Sequence, residues 1–152
     1  MHLSKTLLIT VICSLLTGFL IEAANIEKIQ IFTTLNKKPV LNQQTNIDME
    51  VYYLDEGQKV LDDLNKELVE KTKGMSREEK LKVYESIKFR DDKGKLLPFA
   101  EKMFKSDTGK GLAVQYDIKK VPAVVFNEGL AVIYGDIALA SCLKRFNDWV
   151  KK

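Results

Sequence analysis

Cysteine and histidine, the side chains that most often act as nucleophiles, redox centres and transition-metal ligands, are scarce in this chain. The whole sequence contains two cysteines, Cys13 and Cys142, and one histidine, His2. Cys13 and His2 fall in an N-terminal segment that we expect to be removed, which leaves a single thiol. One thiol cannot form an internal disulfide, and without histidine it cannot complete a usual zinc or transition-metal site. The sequence therefore predicts no metal, no cofactor and no internal redox pair.

Cys142 is the remaining thiol, and its position allows two interpretations. It lies in the middle of a C-terminal amphipathic segment, on the same stripe as Leu139, Phe146 and Trp149, which is typical of a small apolar core residue. The alternative is an exposed thiol that forms a disulfide with another chain in an oxidising compartment. A position far from any helix N-terminus does not lower the pKa of a thiol, so a reactive nucleophile is not expected.

Acidic residues occur as adjacent pairs, at Asp55-Glu56, Asp62-Asp63 and Asp91-Asp92. Neighbouring positions on a helix point in different directions, so such pairs are poorly placed for joint acid–base catalysis. We interpret them as solvated surface. The sequence also has no glycine-rich dinucleotide fingerprint, no Walker loop and no nucleophile elbow.

The first 24 residues have the features of a secretory signal peptide. A short basic start, Met1–Lys5, precedes the apolar stretch Thr6–Leu20, which is shorter than the roughly 20 apolar residues that span a membrane. Ala23 and Ala24 offer small residues for cleavage, although the site is imperfect and an uncleaved anchor is the alternative. We therefore expect residues 1–24 to be a signal peptide, residues 25–152 to form one domain, and the protein to be periplasmic.

The charge of the chain argues against nucleic acid as a partner. Removing the leader takes away one lysine and one glutamate, so the net charge stays at +3. A small excess of positive charge on a highly charged surface favours solubility and lacks the concentrated basic patch of a nucleic-acid-binding domain.

The elements that would position any site follow from periodicity and capping signals. Residues 29–34 and 47–54 are rich in β-formers, and the second segment alternates so that Met49 and Val51 face one side and Glu50 and Tyr52 the other. Helices are predicted from the cap at Asp55 to residue 71, and after the capping box formed by Ser76 and Glu79. Another begins near Pro98, breaks at residues 105–109 and resumes from residue 111.

The last third of the chain predicts a hairpin and a closing helix. Ala123–Phe126 and Leu130–Tyr134 read as strands joined by the turn Asn127–Gly129, whose glycine suits a positive φ. Asp136 is a good N-cap for a helix over residues 137–150. The elements together predict one α/β domain with two strands, a block of helices, a hairpin and a final helix.

The order of these parts, a Val121-Pro122-Ala123 step, a strand, an Asn-x-Gly turn, a strand, a glycine and a helix, resembles the C-terminal half of a thioredoxin-like domain. The resemblance implies a cis Val121–Pro122 bond that faces the loop after the first strand. In redox-active members a Cys-x-x-Cys pair occupies that loop, but here residues 33–40 contain no sulfur. Ala123-Val-Val-Phe126 and Ala131-Val-Ile-Tyr-Gly135 are more specifically similar to a family of secreted integrating conjugative element proteins, thioredoxin-like and without that pair.

The resemblance implies a fold and a context. The expected fold is thioredoxin-like α/β, a central mixed four-stranded sheet with a helical insertion before the cis-Pro loop and a C-terminal helix. The implied function is that of a secreted, non-catalytic component of conjugative DNA transfer by type IV secretion. Its expected partners are other envelope proteins of the transfer apparatus, with no nucleic acid and no small-molecule substrate.

Val121 and Pro122 are the candidate partner-contact residues, and each candidate has a plain structural alternative. Pro122 could serve only as a strand-start proline with a fixed φ. The neighbouring Asn36–Pro39 loop could be a solvated turn or part of the same docking face. Two other functions stay open at this point. A pilus-assembly role would use the same hairpin, whereas a thiol-disulfide oxidoreductase requires a dithiol that the mature sequence lacks.

Overall fold

The computed structural model describes residues 25–41 and 46–152. The expected signal peptide lies outside these residues. The elements are strands β1 (Lys28–Thr33) and β2 (Asp48–Tyr53), helices α1 (Glu56–Lys71), α2 (Arg77–Glu85) and α3 (Pro98–Gln115), strands β3 (Ala123–Phe126) and β4 (Ala131–Tyr134), and helix α4 (Leu139–Val150). The four predicted strands are confirmed, and every strand end lies within one residue of its predicted position.

The strands form one mixed sheet in the order β2-β1-β3-β4. β1 and β2 are parallel, with Ile31 opposite Val51. β3 runs antiparallel to β1, with Phe32 opposite Ala123, and β4 runs antiparallel to β3. The connection from β2 to β3 carries α1, α2 and α3, which is the expected helical insertion, so the mixed four-stranded sheet is confirmed.

One face of the sheet is covered by α4. Alternation along β1 places Ile29 and Ile31 on this face, and together with Val124 and Phe126 of β3 they are fully buried. The rings of Phe126 and Phe146 stack with centroids 4.5 Å apart. This apolar layer fastens the last helix to the two central strands.

The opposite face is covered by α3. Phe32 and Tyr52 stack with ring centroids 5.3 Å apart, and they pack with Val125 against Ala113 of α3. Tyr116, just past the end of α3, meets Phe32 edge-on. The domain therefore has helices on both faces of its sheet.

The predicted break at residues 105–109 is wrong, because α3 runs without interruption from Pro98 to Gln115. Ser106 and Gly109 are buried, Ser106 next to Gly57 of α1 and Gly109 directly over Tyr52. The small residues that suggest a break locally are required here because α3 approaches both α1 and the sheet closely. Tertiary packing outweighs their weak helix propensity.

Two of the predicted caps differ from expectation and one is confirmed. Ser76 and Glu79 form the expected capping box at the start of α2. Asp136 lies two residues before the N-cap of α4, which is Ala138, and its carboxylate accepts a hydrogen bond from the Ala138 N–H at 2.9 Å. Asp55 occupies the N-cap of α1 but makes no side-chain cap bond there.

Within the described ranges, no helix is long and apolar enough to cross a membrane.

Candidate functional site

One end of the sheet brings the sequence-predicted site residues together. β1 ends at Thr33, and its antiparallel register with β3 places Pro122 beside that end. The Val121–Pro122 peptide bond is cis, as the resemblance implied. Pro122 is buried and Val121 is half-buried. We name this region, formed by residues 33–40, 121–122 and 135–138, the proline end.

The loop after β1 is held by side chains on both of its sides. The Thr33 hydroxyl donates a hydrogen bond to the Lys37 carbonyl at 2.6 Å, and the Leu35 N–H donates to Asp55 Oδ1 at 2.9 Å. Asp55 therefore supports this loop instead of capping α1, which the sequence did not reveal. The loop contains no sulfur, and the Thr33 and Asp55 hydrogen bonds hold it in place.

The far end of the same loop is tied to the start of α4. The Val40 N–H donates to the Ile137 carbonyl at 3.1 Å, and the Leu139 N–H donates to the Val40 carbonyl at 3.2 Å. This short parallel bridge joins Val40 to Ala138. Backbone hydrogen bonds therefore fix the loop after β1 to the segment that leads into α4.

Lysines border the proline end. Lys37 and Lys38 are exposed on the loop after β1, and Lys119 and Lys120 are exposed just before Val121. Lys119 pairs with Asp117, whereas the Lys120 ammonium lies 5.6 Å from the ring centroid of Tyr134. A positive border of this kind complements an acidic surface on a partner.

Cys142 lies in the first turn of α4, so the expected distance from a helix N-terminus is wrong. It is nevertheless fully buried on the inner side of this helix, which confirms the core interpretation. Burial, with a smaller contribution from Asp136, raises the pKa of this thiol to about 11. Its sulfur lies 3.7 Å from the Asp136 carbonyl oxygen, to which the thiol can donate. The thiol is therefore protonated and enclosed at neutral pH, and the alternative of an exposed thiol that bridges to another chain is wrong for this structure.

A polar cluster that the sequence did not single out lies on the α3 side of β1 and β2. One oxygen of Glu50 accepts hydrogen bonds from Tyr52 at 2.9 Å and Gln30 at 3.1 Å, and it lies 3.1 Å from the Lys28 ammonium. Burial alone would raise the pKa of Glu50, but the donors together hold it below its usual value. Burial and the Glu50 carboxylate raise the pKa of Tyr52. The strict alternation of residues 47–54 could have pointed to this cluster, since it places Glu50 and Tyr52 on the same face of the strand.

Other residue types that could carry chemistry are dispersed. In residues 25–41 and 46–152, no group of three or more histidine, cysteine, aspartate or glutamate side chains could hold a metal ion. Asp62, Asp63, Asp91 and Asp92 are exposed, as expected for solvated carboxylates, whereas the pair Asp55-Glu56 is half-buried and is not the solvated surface that was expected. The proline end therefore presents exposed lysines and the half-buried, apolar side chain of Val121.

The fold and this end of it define a class, an α/β domain with a mixed four-stranded sheet and a thiol-free loop beside a cis-proline. The chain belongs to the family described as "Protein of unknown function (DUF1525)", whose model matches residues 26–152. Comparison with curated proteins gave no match, and comparison with solved structures gave none either.

Proposed function

We propose that this protein is a secreted, non-catalytic, thioredoxin-like component of an integrating conjugative element. It acts in the periplasm by protein–protein contact through the proline end, within the envelope apparatus that transfers DNA. Its partners are other envelope proteins of that apparatus.

The observation that carries the proposal is the state of the loop after β1. In a redox-active thioredoxin-like protein this loop presents a low-pKa thiol at the start of a helix. Here it has no sulfur and is closed by the Thr33 and Asp55 hydrogen bonds, and Cys142 is enclosed by the core. The sheet order β2-β1-β3-β4 and the cis Val121–Pro122 bond support the thioredoxin-like assignment. A domain that keeps the sheet and the cis-proline of such a protein but lacks its reactive thiols is better suited to recognising another protein than to redox catalysis.

The conjugative context is supported by the resemblance in two strands. Ala123–Phe126 is β3 and Ala131–Tyr134 is β4, so the segments that carry the likeness are adjacent in the sheet and Gly135 follows them directly. Because these strands position Val121 and Pro122, the resembling region and the proposed contact surface are the same part of the molecule.

The experiment is a transfer assay in the host of the element with charge-reversal variants of the whole chain. We expect deletion of the gene to lower the frequency of conjugative DNA transfer, and Lys37→Glu with Lys38→Glu to lower it as deletion does, because a negative loop repels an acidic partner. Lys82→Glu with Lys93→Glu makes the same change of charge at exposed positions on and after α2, and it should transfer normally. Affinity purification of the wild-type chain should recover envelope components of the apparatus, and the Lys37/Lys38 variant should not.

Two results would contradict the proposal. Normal transfer after deletion would remove the conjugative role. Reduction of insulin disulfides by the purified protein would mean that it is an oxidoreductase, because that activity requires an accessible thiolate.

A further inference from the structure

The free edge of β4 is the second surface with recognition chemistry. The sheet ends at β2 on one side and at β4 on the other. β2 carries Asp48 and Glu50, charges of the kind that protect edge strands from unwanted pairing. β4 reads Ala-Val-Ile-Tyr, without a charge or a proline. An edge strand without a charge or a proline lacks these two protections and can pair with another strand.

The register shows which backbone groups face outward. The Gly135 N–H donates to the Pro122 carbonyl at 3.0 Å, so these opposed residues are a hydrogen-bonded pair. Hydrogen-bonded pairs alternate along an antiparallel ladder, so Ile133 and Ala131 also bond to β3. Val132 and Tyr134 therefore direct their backbone N–H and C=O groups away from β3, toward the free side.

An apolar groove of about 330 Å³ lies beside this edge, between β4 and α4. Ile133 and Phe146 contribute to its lining, and Leu130 and Trp149 are 51 % and 52 % exposed at its rim. Two half-exposed large apolar side chains next to an open strand edge favour a strand whose alternate side chains enter the groove.

Arg145 adds a charge requirement. It lines the same groove, one helical turn before Trp149, and is exposed. Within the described part of the chain, no carboxylate oxygen lies within 4.0 Å of its guanidinium. The guanidinium can therefore pair with a carboxylate supplied by the occupant, in the bidentate geometry that arginine favours.

We propose that β4 accepts an extended peptide segment of a partner protein as a fifth strand. The segment bonds to the backbone of Val132 and Tyr134. It places alternate apolar side chains in the groove against Trp149, with one acidic side chain on the same face paired with Arg145. This surface is separate from the proline end and does not depend on the conjugative role, so either proposal can fail without the other.

Trp149 is the only tryptophan, so its fluorescence reports occupancy of the groove directly. The probe is a blocked nine-residue peptide with threonine at even positions, valine at odd positions and glutamate at the centre. Titration into the wild-type protein should give a saturable change in Trp149 emission. Lysine in place of the central glutamate, or Arg145→Gln in the protein, should each weaken binding about fivefold, the scale of a partly exposed charge pair. Lys144→Gln, next to Arg145, should bind as the wild type does.

Backbone pairing is tested separately. Val132→Pro removes an outward N–H without removing a bond to β3, so it should abolish binding while circular dichroism shows a retained fold. Because that variant could fail to fold, the matching test uses the wild-type protein and a peptide with N-methylated threonines, which cannot pair with the edge and should not bind.

The proposal is overturned if Trp149 emission does not respond saturably, or if the glutamate and lysine peptides bind equally. It is also overturned if the N-methylated peptide binds as well as the parent. Sedimentation of the free protein supplies the last test. A dimer that Val132→Pro converts to a monomer would identify a second copy of this chain as the occupant instead.

Discussion

A side chain at position 109 should destabilise the domain even though alanine is the better helix former. A Cβ atom built on Gly109 would lie 2.7 Å from the Cβ of Tyr52 and 3.0 Å from its Cγ. Non-bonded carbon atoms prefer separations of about 3.5–4.0 Å. The Tyr52 Cβ is attached to the backbone of β2, so no side-chain rotation can move it. Helix α3 must therefore move away from the sheet by most of an ångström, which loosens the contact between Ala113 and the Phe32–Tyr52 stack.

The magnitude follows from two opposing effects. Overpacking in a well-packed core costs about 1–3 kcal/mol, and an immobile neighbour places this site near the upper value. Replacing glycine by alanine in a helix recovers about 1 kcal/mol. We therefore expect Gly109→Ala to lower the free energy of unfolding by about 2 kcal/mol.

Gly111 in the same helix provides a matched control. A Cβ at Gly111 would meet no atom within 4 Å. Gly111→Ala should therefore raise the free energy of unfolding by about 1 kcal/mol through helix propensity alone. Urea unfolding followed by far-UV circular dichroism measures both variants, and an unchanged m-value would show that the comparison is valid. A Gly109→Ala protein as stable as the wild type or more stable would refute the close approach of α3 to β2.

Four further predictions concern α4 and α2. Phe146→Ala should lower the free energy of unfolding, measured in urea, by about 3–5 kcal/mol because it removes the ring that stacks on Phe126 in the core. The control Val114→Ala, on the exposed side of α3, should change it by less than about 0.5 kcal/mol. Equal effects of the two substitutions would contradict the placement of Phe146 in the core. Folding raises the pKa of Cys142 from 9.0 to about 11, because burial disfavours the thiolate. The stability that comes from keeping this thiol protonated is therefore fully present below pH 9 and is lost as the pH rises through 11. The stability difference between the wild type and Cys142→Ala should thus shrink by about 1 kcal/mol between pH 8 and pH 10, and a constant difference would mean that the thiol is accessible to solvent. Ser76→Ala removes the capping box of α2, a helix that has no buried residue. Hydrogen exchange of the α2 amides should therefore accelerate about fivefold, while the urea midpoint of global unfolding stays unchanged. A lower midpoint would show that α2 is coupled to the core. The pKa of Glu79 is lowered by its hydrogen bonds to the backbone and side chain of Ser76. The protection factors of the α2 amides, which are corrected for the intrinsic pH dependence of amide exchange, should therefore fall in the wild type as the pH drops below the usual glutamate range.

Local sequence patterns predicted the elements whose signals are complete within a few residues. The alternation of residues 47–54 identified β2 and the two faces of the sheet, and the stripe containing Cys142 and Phe146 identified the buried side of α4. The capping box at Ser76 and Glu79 was also recognised correctly, because both of its hydrogen bonds join residues three apart. In each case the interaction that decides the structure is short-range.

The errors occurred where distant residues decide the structure. Residues 105–109 read as a break because serine, aspartate and glycine favour turns, yet contacts with Gly57 and Tyr52 require small side chains in a continuous helix. Asp55 read as a cap, yet its carboxylate bonds to Leu35, which is 20 positions away. No propensity scale contains these contacts, because they exist only after the sheet and helices have assembled.

The sequence by itself determined the chemical inventory: a thiol-free loop after the first strand, a single cysteine after residue 13 and no histidine beyond residue 2. Those are facts of composition and need no coordinates. The tertiary structure decided which groups meet, by placing the loop beside Pro122, enclosing Cys142 and leaving β4 with an open edge next to Trp149 and Arg145. Strand order and register set these neighbours, and both depend on pairing between segments up to about 100 residues apart, as the hydrogen bond from the Glu27 N–H to Asn127 illustrates.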